Sequence, residues 1–448
     1  MQHALRLARL SLLVSLALAG CLSFPTAPAA QEPSPASPLS TIALPTSPAG
    51  PLPEVTFSDL VVRRGDEQDE WIVLGMAHNK STSALESVAV RVALLDASGA
   101  ATGETTVLLP LSILQPGAFS PFMLRSEQAE GPAAARASLE SFQFSFEAAP
   151  HISLGAVYTT QSPGEVLVRG TVHNDGTQPM RVRGVVVAWR DASRALRGLA
   201  VATIPGATLP ADGSLPWIAD APSTSPATRF EVFIAASPVD SAGESLLVVT
   251  DGPTWRLTSQ GKGFATGAVR NAGNAPILPQ VAIAVSAVGR PISLEILQSS
   301  IPLQPGETLA FAADEFPGLQ ATLQSLDADT AEITLEAYVQ GRSALPDTGA
   351  AFVLPVSISQ FEAIGSSLFL RGTVSNPDSV PLRNATVFVS LRSTTGEPQS
   401  ARWLELASPP DEAGTVFSVD LPLAAGVDPA MCEYDVRAFG LPLPDSSW

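Results

Sequence analysis

A short motif, Gly-x-x-x-Asn, recurs four times along this chain at spacings close to the length of a small domain. The copies are Gly75-Met-Ala-His-Asn79, Gly170-Thr-Val-His-Asn174, Gly267-Ala-Val-Arg-Asn271 and Gly372-Thr-Val-Ser-Asn376. Successive glycines are therefore 95, 97 and 105 residues apart. Recurrence at such a period indicates an array of similar structural units. We interpret most of the chain as four copies of one domain.

The residues around each glycine alternate in the manner of a β-strand. Positions two before and two after the glycine are apolar: Val73, Ala77, Val168, Val172, Ala265, Val269, Leu370 and Val374. The opposite face is apolar in the first copy and mostly polar in the later ones: Leu74, Met76, Arg169, Thr171, Thr266, Ala268, Arg371 and Thr373. This pattern predicts a half-buried antiparallel strand whose second face points outward.

The glycine and the asparagine each have a structural explanation. Glycine in a strand favours a bulge or the close approach of another segment, and asparagine favours a turn. A second alternating strand follows in each copy, and a later turn precedes an apolar residue in three copies: Phe119, Phe311 and Phe417. About seven short strands per copy predict an all-β fold of tandem immunoglobulin-like antiparallel sandwiches. We expect domains at residues 54–148, 149–241, 242–345 and 346–448, called modules 1 to 4, each with its own core.

The order of strand, asparagine, turn, strand and aspartate resembles the bacterial extracellular FxLYD domains and the related CARDB-type domains. Val92-Ala-Leu-Leu-Asp96 and Val187-Ala-Trp-Arg-Asp191 stand where that family has Phe-x-Leu-Tyr-Asp. The resemblance extends over residues 54 to 448, although modules 3 and 4 lack the aspartate. It implies an extracellular location and no particular activity, because a fold does not supply a function.

The first residues resemble the leader of a bacterial lipoprotein. Arg6 and Arg9 precede an apolar stretch, Leu10 to Ala19, which is too short to span a bilayer and has the length of a signal-peptide core. The stretch ends in Leu18-Ala19-Gly20-Cys21, which resembles a lipobox. The resemblance implies a signal peptide at residues 1–20, cleavage between Gly20 and Cys21, and a lipid on Cys21. The alternative is an ordinary secretory signal with an incidental cysteine.

We interpret residues 21–53 as a tether between the lipid and module 1. The segment is rich in proline, alanine, serine and threonine. Such a composition cannot form a core and favours an extended, semi-rigid spacer. A ligand for a proline-binding module is the alternative. Together with the leader, the tether predicts a protein that is membrane-anchored by lipid and faces the extracytoplasmic side, at the cell surface or in the periplasm.

The charge balance argues against nucleic-acid binding. The chain has a net charge of −18 and two lysines, and it lacks a basic run. An acidic surface repels phosphate backbones. We therefore expect a protein or a glycan as the partner, together with the membrane that holds the lipid.

The sequence offers no recognisable catalytic constellation. His78 and His173 occupy the same repeat position, but their parity points them outward in different modules, so we predict no metal site. His151 is solitary, and Cys432 has no histidine after it, whereas a nucleophile needs an adjacent base. We interpret Cys432 as a buried structural thiol and expect no cofactor.

These observations predict a noncatalytic cell-envelope lipoprotein that acts as an extended scaffold or protein-interaction array. The first alternative is a surface adhesin or carbohydrate-binding lipoprotein. The second is an envelope enzyme with an unrecognised site.

Overall fold

The protein is described from a computed structural model, in which nearly all regular structure is antiparallel β-strand. The structure describes residues 53–65, 70–127, 131–147, 149–162, 165–222, 229–239, 246–300, 302–316, 319, 323, 333–343 and 351–443. These residues belong to one compact unit, Pro53–Trp448. The tandem immunoglobulin-like sandwiches predicted from the sequence are confirmed.

The first half of the described chain forms strands β1 to β15. Module 1 contains β1 (Val55–Arg64), β2 (Glu70–Asn79), β3 (Ala84–Leu95), β4 (Ala101–Leu108), β5 (Ile113–Leu114), β6 (Phe119–Glu127) and β7 (Ala134–Ser145). Module 2 contains β8 (Ile152–Leu154), β9 (Tyr158–Ser162), β10 (Glu165–Asn174), β11 (Met180–Arg190), β12 (Leu196–Val201), β13 (Thr208–Leu209), β14 (Ser214–Pro222) and β15 (Arg229–Pro238).

The second half repeats this order with strands β16 to β28. Module 3 contains β16 (Leu247–Leu257), β17 (Gly263–Asn271), β18 (Ile277–Ala287), β19 (Arg290–Gln298), β20 (Thr308–Ala313) and β21 (Ile333–Ser343). Module 4 contains β22 (Phe352–Leu354), β23 (Val356–Ile364), β24 (Ser367–Val374), β25 (Leu382–Ser393), β26 (Pro398–Glu405), β27 (Thr415–Pro422) and β28 (Cys432–Pro442), with a 3-10 turn at Pro429–Met431.

Each module contains two sheets. The glycine sheet holds the strand with the repeated motif, in the orders β1-β2-β6, β14-β10-β8 with β9 also on β10, β16-β17-β20 and β23-β24-β27. The companion sheet is built on the next long strand, in the orders β4-β3-β5 with β7 on β3, β12-β11-β13 with β15 on β11, β19-β18-β21 and β22-β28-β25-β26. A separate cluster of buried residues lies between the two sheets of each module.

The second face of the glycine sheet does not point to solvent in modules 1 to 3, which corrects the expectation from the alternating pattern. The residue before each glycine is 0% exposed at Leu74, 3% at Arg169 and 1% at Thr266. Its equivalent in module 4, Arg371, is exposed. The reason is that the companion sheet of the following module covers this face, so both faces of these glycine sheets are buried.

The first interface joins module 1 to module 2 through apolar side chains. Ile72, Leu74 and Met76 of β2 share a buried cluster with Ala188 and Leu196 of the module 2 companion sheet. An ion pair at the edge of the interface links Arg190 Nη2 to Asp59 Oδ2 at 2.9 Å. Asp59 belongs to an irregular part of β1 and has a φ of 53°. The strand irregularity therefore places an acidic side chain against the next module.

The second interface repeats this arrangement between modules 2 and 3. Leu167 and Ile218 of the glycine sheet pack with Ala282, Ala284 and Leu294 of the module 3 companion sheet. Arg169 crosses the interface and donates from Nη1 to the carbonyl of Ile292 at 3.0 Å. Burial lowers the pKa of this guanidinium.

The third interface combines apolar and polar contacts. Phe388 and Ala401 of module 4 are part of the module 3 core cluster. Arg256 Nη2 donates to the carbonyl of Pro398 at 3.2 Å, and Arg437 Nη1 pairs with Glu307 Oε1 at 2.6 Å. The four modules are thus stacked in one direction, with the glycine sheet of each module packed on the companion sheet of the next.

The two outermost sheet faces of the stack carry exposed polar side chains. In module 4 the uncovered face of the glycine sheet carries exposed Arg371, Ser418 and Asp420. In module 1 the uncovered face of the companion sheet carries the exposed Arg91–Glu140 ion pair. The positions equivalent to Arg91 in modules 2 to 4 are Val186, Ala282 and Phe388, all of which are buried. The module 1 face therefore has the character of a cap, which stacked arrays require for solubility, whereas Arg371 and Asp420 of module 4 have equivalents, Arg169 and Asp220, in the covered sheet of module 2.

Shared interfaces predict that the modules do not unfold independently. Leu74→Ala should lower the free energy of unfolding by about 2–5 kcal/mol, because it removes a fully buried side chain between modules 1 and 2. Chemical denaturation should show that the transitions of both modules move to lower denaturant. Leu108→Ala is the matched control, since Leu108 is 65% exposed. A shift confined to module 1 would contradict the coupling.

Candidate functional site

Each glycine of the repeated motif lies opposite an aromatic residue on the neighbouring strand. The pairs are Gly75 with Phe122, Gly170 with Trp217, Gly267 with Phe311 and Gly372 with Phe417. A Cβ atom added to these glycines would lie 2.4, 2.9, 2.4 and 2.8 Å from the respective ring. The glycine therefore leaves room for the large aromatic side chain of the core.

The first strand of the glycine sheet also approaches this glycine closely. Its register shifts at Ser58/Val61, Val249/Asp251 and Ile358/Gln360, and in module 2 the strand is divided into β8 and β9. Backbone carbonyls at this irregularity lie 2.9, 2.8 and 2.6 Å from a Cβ added to Gly170, Gly267 and Gly372. In modules 2 to 4 a side chain at the glycine would therefore meet both a ring and a backbone oxygen, and in module 1 it would meet the Phe122 ring and the Leu60 side chain.

The three phenylalanines that follow the later turn do not occupy equivalent positions. Phe311 and Phe417 fill the cores of their modules, but Phe119 is 43% exposed and stacks on His78 with ring centroids 4.0 Å apart. The aromatic residue equivalent to Phe311 in module 1 is Phe122, three residues later. The preceding turn therefore does not determine which residue of the next strand reaches the core, because β6 already pairs with β2 from Phe119 onward.

The asparagines of the motif fasten the end of the glycine strand to the opposite side of the sandwich. The Nδ2 atoms of Asn79 and Asn271 each donate to two carbonyls, at 2.9 and 2.9 Å and at 2.8 and 2.8 Å. The Oδ1 atom accepts a backbone N–H two residues later in both. Asn174 makes corresponding bonds, whereas Asn376 Nδ2 also donates to two carbonyls but its Oδ1 accepts from the N–H of Val380, four residues later. All four asparagines are buried, so their polar atoms serve the fold.

The histidines and Cys432 lie apart from one another. His78 packs on Phe119, and His173 Nδ1 lies 3.0 Å from Ser214 Oγ. In the part of the chain that the structure describes, no group of three or more His, Cys, Asp or Glu side chains could hold a metal ion. Cys432 is partly exposed, contrary to the expectation of a buried thiol, because it begins β28 beside the 3-10 turn.

The predicted anchor residues, Gly20 and Cys21, lie outside the described residues. So does the predicted tether up to residue 52. Among the described residues there is no helix with the length and hydropathy of a membrane span.

A cleft at the junction of modules 3 and 4 is the candidate binding site. It consists of two cavities of about 380 and 260 Å³, which share Gln298 of β19 and Trp403 of β26. We call these together the Trp403 cleft. Its strands β19, β20 and β26 are edge strands of their sheets, so the cleft opens where the two stacked modules leave strand edges uncovered.

The larger cavity is lined by seven polar residues and four apolar ones. Ser299 and Ser300 come from module 3, and Arg383, Asn384 and Glu405 come from module 4. Asn384 Nδ2 donates to Glu405 Oε1 at 3.1 Å. Ser300 Oγ lies 2.6 Å from Thr386 Oγ1 and joins the two modules beside the cavity. These groups provide hydrogen-bond donors and acceptors from both modules.

The smaller cavity contains a carboxyl group in an unusual environment. Burial, together with the charges of Asp314 and Glu315, raises the pKa of Glu295 to about 8, although the backbone N–H of Glu315 and the charge of Arg402 oppose the shift. Asp314 is paired with Arg402 Nη2 at 2.9 Å and with Lys262 Nζ at 3.2 Å. At neutral pH Glu295 is therefore largely protonated and can donate a hydrogen bond.

Comparison with known proteins leaves the function open. No family model matches the chain, and no curated protein matches it. Among solved structures, E. coli alpha-2-macroglobulin in its native conformation is similar at 10% identity with a TM-score of 0.14. The match covers 86% of this chain and 28% of that protein. The resemblance to FxLYD and CARDB-type domains stays a prediction.

The Trp403 cleft could not be found from the sequence. Its residues come from parts of the chain as far apart as Leu278 and Leu441, and they do not belong to the repeated motif. The one signal in the sequence is Trp403 itself, because the equivalent strand positions in the other three modules carry no tryptophan.

Gly170→Ala tests the role of the repeated glycine. The added methyl group would lie 2.9 Å from the carbonyl of Ala156 and 2.9 Å from the Trp217 ring, so we expect a loss of about 1–3 kcal/mol in the free energy of unfolding. Gly252→Ala is the control, because an added Cβ there meets no atom within 4 Å. Equal effects of the two changes in thermal or chemical denaturation would contradict the packing explanation.

Proposed function

We propose that this protein is a noncatalytic lipoprotein of the cell envelope, which holds a stacked array of β-sandwich domains outside the cytoplasm. The observation that carries the proposal is the repeated docking of one module on the next through buried sheet faces. Two domains joined by a flexible linker move freely unless a large apolar interface holds them. Successive apolar interfaces therefore support the role of a stiff spacer or platform.

The repeated residues also support a structural role. The motif glycines make room for core aromatic side chains, and the buried motif asparagines form hydrogen bonds at the turns; the glycines are Gly75, Gly170, Gly267 and Gly372. Residues that recur in all four copies thus serve folding in each copy. The surfaces left exposed, namely the end faces and the strand edges beside the interfaces, are the ones available to another molecule.

The location at the membrane is proposed from the leader and from Cys21. Stable anchoring by lipid needs at least two acyl chains, because each buried methylene contributes about 0.8 kcal/mol and one chain binds reversibly. The tether rich in proline would then separate module 1 from the bilayer.

Cys21→Ser tests the anchor. The variant should lose lipid incorporation and leave the membrane fraction, because a hydroxyl cannot take the place of the thiol in lipid attachment. The measurements are metabolic labelling with a fatty acid and intact-mass analysis of the protein from membranes. Cys432→Ser is the control and should retain the lipid. Wild-type protein that carries no acyl chain would overturn the proposed anchor.

A second measurement tests the stiff array. Spin labels are attached to cysteines introduced at Ala97 and Thr394, both exposed turn residues, and report the distance between modules 1 and 4. The protein also carries Cys21→Ser and Cys432→Ser, so that only the two introduced cysteines are labelled. We expect a narrow distance distribution from electron–electron double resonance, and a broader one after Leu74→Asp at the first interface. A broad distribution before that change would show that the modules move independently and would contradict the scaffold.

A further inference from the structure

We propose that the Trp403 cleft binds an uncharged oligosaccharide, with Trp403 as the platform on which a sugar ring stacks. The proposal goes beyond the scaffold function and assigns a ligand class to a specific place in the array. It rests on the proposed function in one respect, which is that modules 3 and 4 must stay docked for the cleft to exist.

Trp403 has the position that a stacking platform requires. It packs against the core cluster shared by modules 3 and 4, and it also lines both cavities of the cleft. The ring is therefore held by packing on one part of its surface and reaches the cleft with another. A rigid aromatic side chain of this kind offers a large contact area for the apolar C–H face of a sugar.

The polar groups around Trp403 suit hydroxyl groups better than a charged or an apolar ligand. Gln298, Asn384 and Ser300 can both donate and accept hydrogen bonds. The two charged groups of the larger cavity, Arg383 and Glu405, balance each other. A ligand with many hydroxyl groups needs this mixture of donors and acceptors with little net charge.

The shape of the cleft favours a chain of sugars over a single ring. Each cavity is near or above the lower end of the ~300–1,000 Å³ range of small-molecule sites, and the two cavities adjoin at Gln298 and Trp403. In the second cavity Glu295 and the Arg402–Asp314 pair supply further polar groups. A linear oligosaccharide could thus pass from one cavity to the other across Trp403.

An extended peptide is the competing occupant, because β19, β20 and β26 are edge strands that can accept another strand. Peptide recognition of this kind takes its specificity from pockets for alternate side chains. The larger cavity instead combines the Trp403 ring with seven polar lining residues, a mixture of apolar face and hydrogen-bonding groups that favours the sugar.

The test uses the full chain and a panel of uncharged oligosaccharides of glucose, mannose, xylose and N-acetylglucosamine. Binding is followed by isothermal titration calorimetry and by tryptophan fluorescence. We expect at least one of these probes to bind, and Trp403→Ala to weaken that binding by about tenfold or more. Trp403→Phe should retain part of the affinity, since it keeps an aromatic face.

Two further variants separate loss of binding from loss of folding. Gln298 is exposed, so Gln298→Ala should leave the unfolding transition unchanged and weaken binding several-fold. Trp71→Ala in module 1 is the matched tryptophan control and should leave the affinity unchanged.

Three outcomes would overturn the proposal. They are no binding by any oligosaccharide of the panel, binding that Trp403→Ala and Gln298→Ala leave unchanged, and capture of extended peptides at the cleft in place of sugars. If the spin-label distances stay narrow while sugars fail to bind, the scaffold stands and the binding site does not. If the distances are broad, the scaffold fails independently of the sugar titration.

Discussion

Burial of the glycine sheet on both of its faces in modules 1 to 3 is the constraint on which the rest of this structure depends. One face packs against the companion sheet of the same module, and the other packs against the companion sheet of the next. Leu74, at 0% exposure, shows how completely the second face is covered in module 1. Full burial of such a side chain contributes about 1.5–3 kcal/mol, so the interfaces add to stability in the same way as the cores.

The same constraint accounts for the polar residues inside the interfaces. Arg169 is 3% exposed, and its Nη1 donates to a backbone carbonyl of module 3. A buried charge is costly unless hydrogen bonds satisfy it. Arg169 lies on the central strand β10 opposite Ile218 of the apolar contact, and this position fixes which carbonyl it can reach. The polar contacts thus set the register of the stacked sheets, while the apolar side chains provide most of the attraction.

The sequence predicted the fold through local patterns and missed what depends on distant contacts. The alternation around Gly170 and the turn at Asn174 identified the strand and its end, because both signals come from neighbouring residues. The same alternation could not reveal that Arg169 and Thr266 are buried, since the covering sheet belongs to the next module. The turn before Phe119 did not reveal that Phe122 is the core residue of that strand, because a turn does not determine the pairing register. The cleft at Trp403 depends on two modules and has no local signal.

The polar cap on module 1 limits how such an array can change by duplication or deletion. A module added before module 1 would have to cover the exposed Arg91–Glu140 pair, while removal of module 2 would place the apolar face of Leu74 and Met76 against a sheet that lacks Arg190. Module 1 is therefore not interchangeable with the modules that follow it. Growth of the array would have to begin from a later copy, because the side chains on the sheet faces determine which modules can be neighbours.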